Sequence, residues 1–318
     1  MTSRINRLLL ATDFSEWASR AEDYACSLAS SWRAHLTVMT VLEFPPGLNP
    51  EYPVNQQYLT HRMSEASDQL AKFKSRATHR GIIVATRMAT GLPSEEINAA
   101  AQAEESDLIV LGTRGKSGLA HVLLGSTAER VIRRAPCPVL AVHMAKDEAS
   151  VAHGGITLDR ILVPIDFSDC SLDALEYAVM VARQAKASIE LFHVLEPLSY
   201  GLDFTFSHRE EREEQRERLN KRLLDLSDAL SAAGIAVNRH MRGGLPADSI
   251  LDDARTLPSD LIVMGTHGRR GLSHVMAGSV AEAVLRRARC PVLTVRSPKF
   301  SPGHHRLVTM PAIQSTNP

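Results

Sequence analysis

The stretch Leu8-Leu9-Leu10-Ala11-Thr12-Asp13-Phe14-Ser15 returns as Ile161-Leu162-Val163-Pro164-Ile165-Asp166-Phe167-Ser168, a shift of 153 positions from Asp13 to Asp166. Each copy is an apolar run that ends in Asp-Phe-Ser, the pattern of a buried strand leading into a helix start. The same shift carries Asp107-Leu108-Ile109-Val110 onto Asp260-Leu261-Ile262-Val263, and Cys137-Pro138-Val139-Leu140 onto Cys290-Pro291-Val292-Leu293. No insertion separates these landmarks. Solenoid units run about 20 to 50 residues, so a period this long means that a whole domain is duplicated. A chain of 318 residues accommodates two such units at roughly 150 residues each. We expect domains over 1–146 and 158–297, a polar linker over 147–157 with paired glycines, and a flexible tail over 298–318 with four prolines.

In the first unit, short apolar runs at 7–12, 35–42, 82–87, 107–111 and 138–142 alternate with longer helical patterns. Strands apolar on nearly every residue belong to a parallel sheet covered by helices on both faces, and right-handed crossovers make it doubly wound. The expected class is α/β, with two five-stranded doubly wound domains. Helices should begin near Ser15, near Pro93-Ser94, where proline suits a first turn, and near Ser126. Arg209 to Arg222 is a dense charge run with Glu214/Arg218 and Glu217/Lys221 spaced i to i+4, which reads as a solvated helix face.

After the fourth strand the first copy reads Gly112-Thr113-Arg114-Gly115-Lys116-Ser117-Gly118, six residues, then Gly125-Ser126-Thr127-Ala128. The second reads Gly265-Thr266-His267-Gly268-Arg269-Arg270-Gly271, six residues, then Gly278-Ser279-Val280-Ala281. Both follow Gly-x2-Gly-x9-Gly-Ser. Glycines let the backbone come close to a ligand so that successive N–H groups converge on phosphate oxygens, and the helix that follows offers a positive N-terminus. The same Gly-Ser-x-x-Glu also fits a capping box with Ser126 or Ser279 at N-cap and Glu129 or Glu282 at N3. Three spaced glycines between a strand and a helix, repeated at one spacing, favour phosphate. Ligands of open α/β sheets sit beyond the carboxyl ends of strands where the strand order reverses, here expected between the first and fourth strands. Asp13 and Asp166 end the first strand and face that crevice. They can accept hydrogen bonds from a ribose or base, and they can equally form a local Asx turn.

Gly115-Lys116-Ser117 resembles the end of a Walker A loop, but the glycine needed five residues before Gly115 is Val110. The first strand leads into no G-x-G-x-x-G either, which argues against NAD and FAD. His121 and His274 occupy matching loop positions and read as solvated or packed. Cys137 and Cys290 read as small core hydrophobes. The four cysteines form no CxxC pair, which argues against structural zinc and fits a reducing compartment. Lys plus Arg and Asp plus Glu both number 36, so no basic field announces nucleic acid or anionic lipid. No stretch approaches the roughly 20 apolar residues of a membrane span, and the expected location is the cytoplasm.

These residues resemble the universal stress protein family, in its tandem form, over roughly residues 4–144 and 157–297. The glycine loop is the most specific element, and in the ATP-binding branch of the family it signals bound ATP. The resemblance implies nucleotide contacts from Ala11, Asp13, Val41, the loop Gly112 to Gly118, Gly125 and Ser126-Thr127-Ala128. In the second copy the matching positions are Pro164, Asp166, Val194, the loop Gly265 to Gly271, Gly278 and Ser279-Val280-Ala281. Where the family often has proline, the first copy has Ala11 and the second Pro164, so adenine packing in the first site is expected to be looser. The resemblance further implies a Rossmann-like sheet in order 3-2-1-4-5. Single-domain members dimerise through the fifth strand, so Val139–His143 and Val292–Arg296 are expected to pair within this chain, with a homodimer of chains left open. The implied function is a nucleotide-dependent regulatory protein of the stress response. It would hold one ATP per domain, with Mg2+ carried on the ATP phosphates and not by the protein, and no nucleic-acid or membrane partner. The alternatives are a slow ATPase or phosphotransfer enzyme, which needs a positioned base that the sequence does not display, and a nucleotide-independent scaffold.

Overall fold

The structure, a computed structural model, describes residues 4–44, 52–113, 124–143, 156–196, 207–268 and 278–297. The first half runs β1 (Arg7–Ala11), α1 (Glu16–Trp32), β2 (His35–Leu42), α2 (Pro53–His79), β3 (Val84–Thr90), α3 (Pro93–Ala103), β4 (Leu108–Gly112), α4 (Ser126–Arg134) and β5 (Val139–Val142). The second repeats it as β6 (Arg160–Pro164), α5 (Asp169–Ala185), β7 (Ser188–Leu195), α6 (Ser207–Ala232), β8 (Val237–Gly243), α7 (Pro246–Thr256), β9 (Leu261–Gly265), α8 (Ser279–Arg287) and β10 (Val292–Val295). Helix starts fall where the sequence placed them, with Ser15 as the N-cap of α1 and Pro93 in the first turn of α3.

The strands form a ten-stranded sheet ordered β3-β2-β1-β4-β5-β10-β9-β6-β7-β8, so each half keeps the order 3-2-1-4-5. Pairing within each half is parallel. Between the halves it is antiparallel, with Val292 opposite Ala141, Leu293 opposite Leu140 and Thr294 opposite Val139. The fifth strands thus pair within the chain. Because the two parallel blocks run in opposite directions, the carboxyl ends of their strands open on opposite edges of the sheet.

Alternation along the central strands explains the layers. Leu8 and Leu10 of β1 and Val110 of β4 pack toward α1 and α2, while Leu9, Ile109 and Leu111 pack toward α3 and α4. Both clusters include residues of both halves, so the core is continuous across the seam. Tyr177 of α5 donates from its hydroxyl to the Asp107 carbonyl (2.7 Å), and burial pushes that hydroxyl well above the ordinary tyrosine range. Gln184 exchanges two hydrogen bonds with the Ile5 backbone, at 3.0 and 2.9 Å. Past the seam, the His143 ring Nε2 meets the Leu285 carbonyl of α8, and Arg296 donates to the Ala135 carbonyl at the end of α4 (3.5 Å). Each half therefore reaches carbonyls near the C-terminal end of the other half's last helix, groups that have no partner within a helix.

The third strand departs from expectation. The apolar run at 82–87 placed it early, whereas β3 begins at Val84 and follows β2 from Leu36↔Val84 to Leu42↔Thr90. Ile82 is buried in the approach, Ile83 is exposed, and β3 is an edge strand whose extent is set by its neighbour's ladder. Within α6, Arg218 reaches Glu214 through the latter's backbone carbonyl (3.4 Å), and Glu213 to Arg218 form a solvated face, whereas Arg222 at the end of the charge run is half-buried and stacks over the Phe167 ring at 4.1 Å. Its apolar stripe, Leu219, Leu223, Leu226 and Leu230, is buried at helical spacing. Of the expected linker, Ile156 and Thr157 are described, and Ile156 accepts a hydrogen bond from Ser27 (3.1 Å). The expected tail over 298–318 lies outside the described residues.

Candidate functional site

In each half β1 or β6 lies between its second and fourth strands, so the strand order reverses beside it, as expected. The β1–β4 ladder runs to Ala11↔Leu111, while the β6–β9 ladder ends at Leu162↔Ile262. Pro164 has no N–H to give to a ladder, so the second crevice opens two residues earlier.

The aspartates at the crevice do form the local turn that was the alternative reading. Asp13 Oδ1 accepts from the Ser15 N–H (3.0 Å), and Asp166 Oδ1 accepts from the Ser168 N–H (2.9 Å) and hydroxyl (2.6 Å). Between them, Phe14 and Phe167 adopt left-handed φ of 55° and 63°, a costly conformation for a bulky residue. In the first half the Phe14 N–H is held by Thr12 Oγ1 (3.0 Å). The turn occupies one carboxylate oxygen. A Cβ placed on Gly268 would lie 2.7 Å from the other, Asp166 Oδ2, so this carboxylate faces the glycine loop at a distance only glycine permits.

The loop is closed by its own backbone. Thr266 N–H donates to the Val295 carbonyl (3.0 Å) and its carbonyl accepts from Gly278 N–H (2.7 Å); in the first half Thr113, Val142 and Gly125 repeat both bonds at the same lengths. Thr113 and Thr266 are buried, and Thr266 Oγ1 bonds His267 Nδ1 (2.9 Å). Both threonines therefore frame the loop. A Cβ on Gly265 would come within 2.9 Å of the Cys170 carbonyl group, so the start of α5 packs directly on the end of β9.

The capping-box reading does not hold. Gly125 and Gly278 are the N-caps, Glu129 and Glu282 N–H bond to the carbonyls of those glycines, and neither helix has a side-chain cap. Ser126 and Ser279 stand one position inside the helix and are exposed. The loop-closing bond pins the glycine, which shifts the start by one residue. The first-turn N–H groups of Ser126, Thr127 and Ala128, and of Ser279, Val280 and Ala281, thus lie at a helix N-terminus beside the crevice. Ala128 and Ala281 bury their side chains, leaving only backbone for a ligand.

Ala11 and Val41, and Val194 and Val280, pack partly buried on the α3/α4 and α7/α8 side of the sheet, at strand ends or the helix start. Pro164 ends β6. Arg114, Gly115, Lys116, Ser117, Gly118 and His121, and Arg269, Arg270, Gly271 and His274, lie outside the described residues. Among the described residues, no group of three His, Cys, Asp or Glu side chains could hold a metal ion, and no helix is long and apolar enough to cross a membrane. None of the cysteines forms a disulfide, and burial pushes the Cys290 thiol up to about 12, in keeping with a packing role.

The halves differ beside the aspartate. Burial pushes the Glu22 carboxyl above its ordinary 4.5, outweighing the hydrogen bond from Thr12 Oγ1 (2.7 Å) and the charge of Arg76; Asp23 and Asp13 add to the rise. The matching position in the second half is Leu175. Because the folded chain holds this proton more tightly than the unfolded one, the stability it contributes is full below pH 4.5 and is lost as pH rises through the folded value. Glu22→Gln keeps an acceptor for Thr12 and should melt higher than the wild type at about pH 8, the gap closing below about pH 4.5. A gap in thermal melts that does not vary with pH would contradict this origin.

Fold and site together define a tandem doubly wound α/β protein with a glycine loop and a helix N-terminus at each switch point. The model of the universal stress protein family matches residues 4–143 and 157–296, and the chain belongs to that family. A universal stress protein of Mycolicibacterium smegmatis is 27% identical over 296 residues, covering 91% of this chain and 96% of its own. One from Methanocaldococcus jannaschii is 33% identical over 150 residues, covering 47% of this chain and 88% of its own. The crystal structure of a universal stress protein from Archaeoglobus fulgidus shares the fold, with a TM-score of 0.65 at 24% identity over 92% of this chain and 97% of that one.

Proposed function

We propose that the chain is a nucleotide-dependent binding protein of the stress response, cytoplasmic, holding one ATP in each half. The observation that carries this reading is the pair of helix starts, α4 and α8, left without side-chain caps under a backbone-closed glycine loop. A helix N-terminus of this kind attracts polyphosphate through its N–H groups and its partial positive charge. Ser126 or Ser279 adds a hydroxyl. Asp166 turns Oδ2 toward Gly268 while Oδ1 holds the turn, and Asp13, which forms the same turn, takes the matching place in the first half. Ala11 with Val41, or Pro164 with Val194, supplies the apolar wall for the base. The uncharged balance of the chain supports no nucleic-acid or lipid partner. The residues fit a nucleotide better than a protein-held metal, so Mg2+ would enter on the phosphates and offset their charge.

The test is to denature freshly purified protein and identify released nucleotide by ion-exchange chromatography. The expected result is adenine nucleotide, up to two per chain. ADP accumulating with time after ATP is added would move the reading to a slow ATPase. A folded protein that releases no nucleotide and binds no ATP when it is offered would leave the scaffold reading in its place.

A further inference from the structure

Leu92 and Leu245 occupy the same place in both halves, 153 residues apart, and at each the sequence departs from what a helix start favours. Each is an N-cap, of α3 and α7, with extended backbone and no side-chain hydrogen bond into the first turn. Ser, Thr, Asp or Asn at such a position stabilises by about 1 kcal/mol. Each leucine is also well exposed, at 48% and 63%. Single exposed leucines are ordinary, but two at one repeat position, both in place of a cap, are a local rule broken twice. Both are held firmly, between a glycine at φ +143° or +148° and a proline in the first helical turn.

Their position in the fold suggests what they meet. Gly91 N–H donates to the Leu42 carbonyl and Gly244 N–H to the Leu195 carbonyl, each at 3.1 Å. Each leucine therefore follows a glycine tied to the carboxyl end of β2 or β7, beside Val41 or Val194. In the first half Ala11, Val41 and Ala89, at the ends of β1, β2 and β3, are partly buried against the core on the α3/α4 side of the sheet. In the second, Val194 at the end of β7, with Ala247 and Val280 at the starts of α7 and α8, are likewise partly buried, so each half offers a half-buried apolar floor. The end of β2 lies two strand spacings, about 10 Å, from the end of β4 where the glycine loop begins. That is a distance a ribose and its base can cover once the phosphates sit on the loop. A base laid on this floor has one face covered and the other turned to the rim.

We infer that Leu92 and Leu245 close over the outer face of a purine base, making each a binding residue that sets base affinity apart from phosphate affinity. The inference rests on the nucleotide reading above. The test compares Mg-ATP with inorganic tripolyphosphate on nucleotide-stripped full-length chain, wild type against Leu92→Ser/Leu245→Ser. Serine is a preferred cap, so this variant keeps or gains helix stability. ATP should bind about tenfold more weakly, the worth of roughly half a buried leucine, while tripolyphosphate is unchanged. Leu92→Met/Leu245→Met should retain wild-type affinity. ATP affinity within about twofold of wild type in the serine variant overturns the inference and leaves the nucleotide reading standing. Equal weakening of ATP and tripolyphosphate also overturns it, since the loop and not the base would then have been disturbed. Wild-type protein that binds neither ligand overturns both.

Discussion

Gly268→Val should reduce the ATP bound per chain from two to one while leaving the fold intact. Any Cβ at this position starts 2.7 Å from Asp166 Oδ2, closer than van der Waals contact allows, and valine adds two methyl groups beyond it. Asp166 cannot simply swing away, because its other oxygen is bonded to both the backbone and the hydroxyl of Ser168. The loop would have to move off the crevice, withdrawing its N–H groups from the phosphates. A displaced loop donor of this kind costs several kcal/mol of binding, so the second site should weaken by more than about a hundredfold. Gly268 carries no positive φ requiring glycine and is exposed, so circular dichroism and the melting temperature should change little. Isothermal titration with Mg-ATP gives the stoichiometry. Two undiminished sites in the variant would remove Asp166 and Gly268 from the account.

Leu293→Asp should destabilise the whole chain by roughly 4 kcal/mol or more, through loss of a packed leucine and burial of an unpaired carboxylate. Leu293 faces Leu140 across the antiparallel seam, is 1% exposed, and borders the small apolar cavity lined by Tyr24, Leu28 and Val181. Such a loss is a large share of the 5–15 kcal/mol that holds a typical domain. Since the core clusters span both halves, wild-type protein should unfold in urea as one cooperative unit, and the variant should either unfold earlier or separate into two transitions. A single transition shifted by less than about 1 kcal/mol would mean the seam contributes little to stability.

The duplication, the α/β class and the switch point were legible because buried parallel strands advertise themselves: Leu8-Leu9-Leu10 and Leu108-Ile109-Val110 are apolar on both faces and have nowhere else to go. β3 was misplaced because an edge strand is defined by its neighbour, and Val84-Ala85-Thr86-Arg87 carries little hydrophobic signal of its own. The seam could be anticipated only by resemblance, since the four residues Val139-Leu140-Ala141-Val142 suit any central strand and nothing local names the partner. The helix starts at Ser126 and Ser279 were legible, whereas the capping-box alternative placed the N-cap one residue too late, on the serine and not on Gly125 or Gly278. A backbone bond between Gly278 and Thr266, which no side chain announces, decides that cap. Glu22 hides in a helix pattern until Thr12 is seen across from it. Leu92 and Leu245 carry no polar signal of their own. Gly-Leu-Pro repeats at the 153-residue shift as plainly as the glycine loop does, but a leucine before a proline reads as ordinary packing until its exposure at a helix start is seen.

We propose two nucleotides per chain, one beneath each glycine loop, on opposite edges of one sheet. The direct measurement is a calorimetric titration of nucleotide-stripped wild-type chain with Mg-ATP. The expected result is saturation at two ATP per chain. Saturation at zero, in protein whose circular dichroism and cooperative melting show it to be folded, would contradict it.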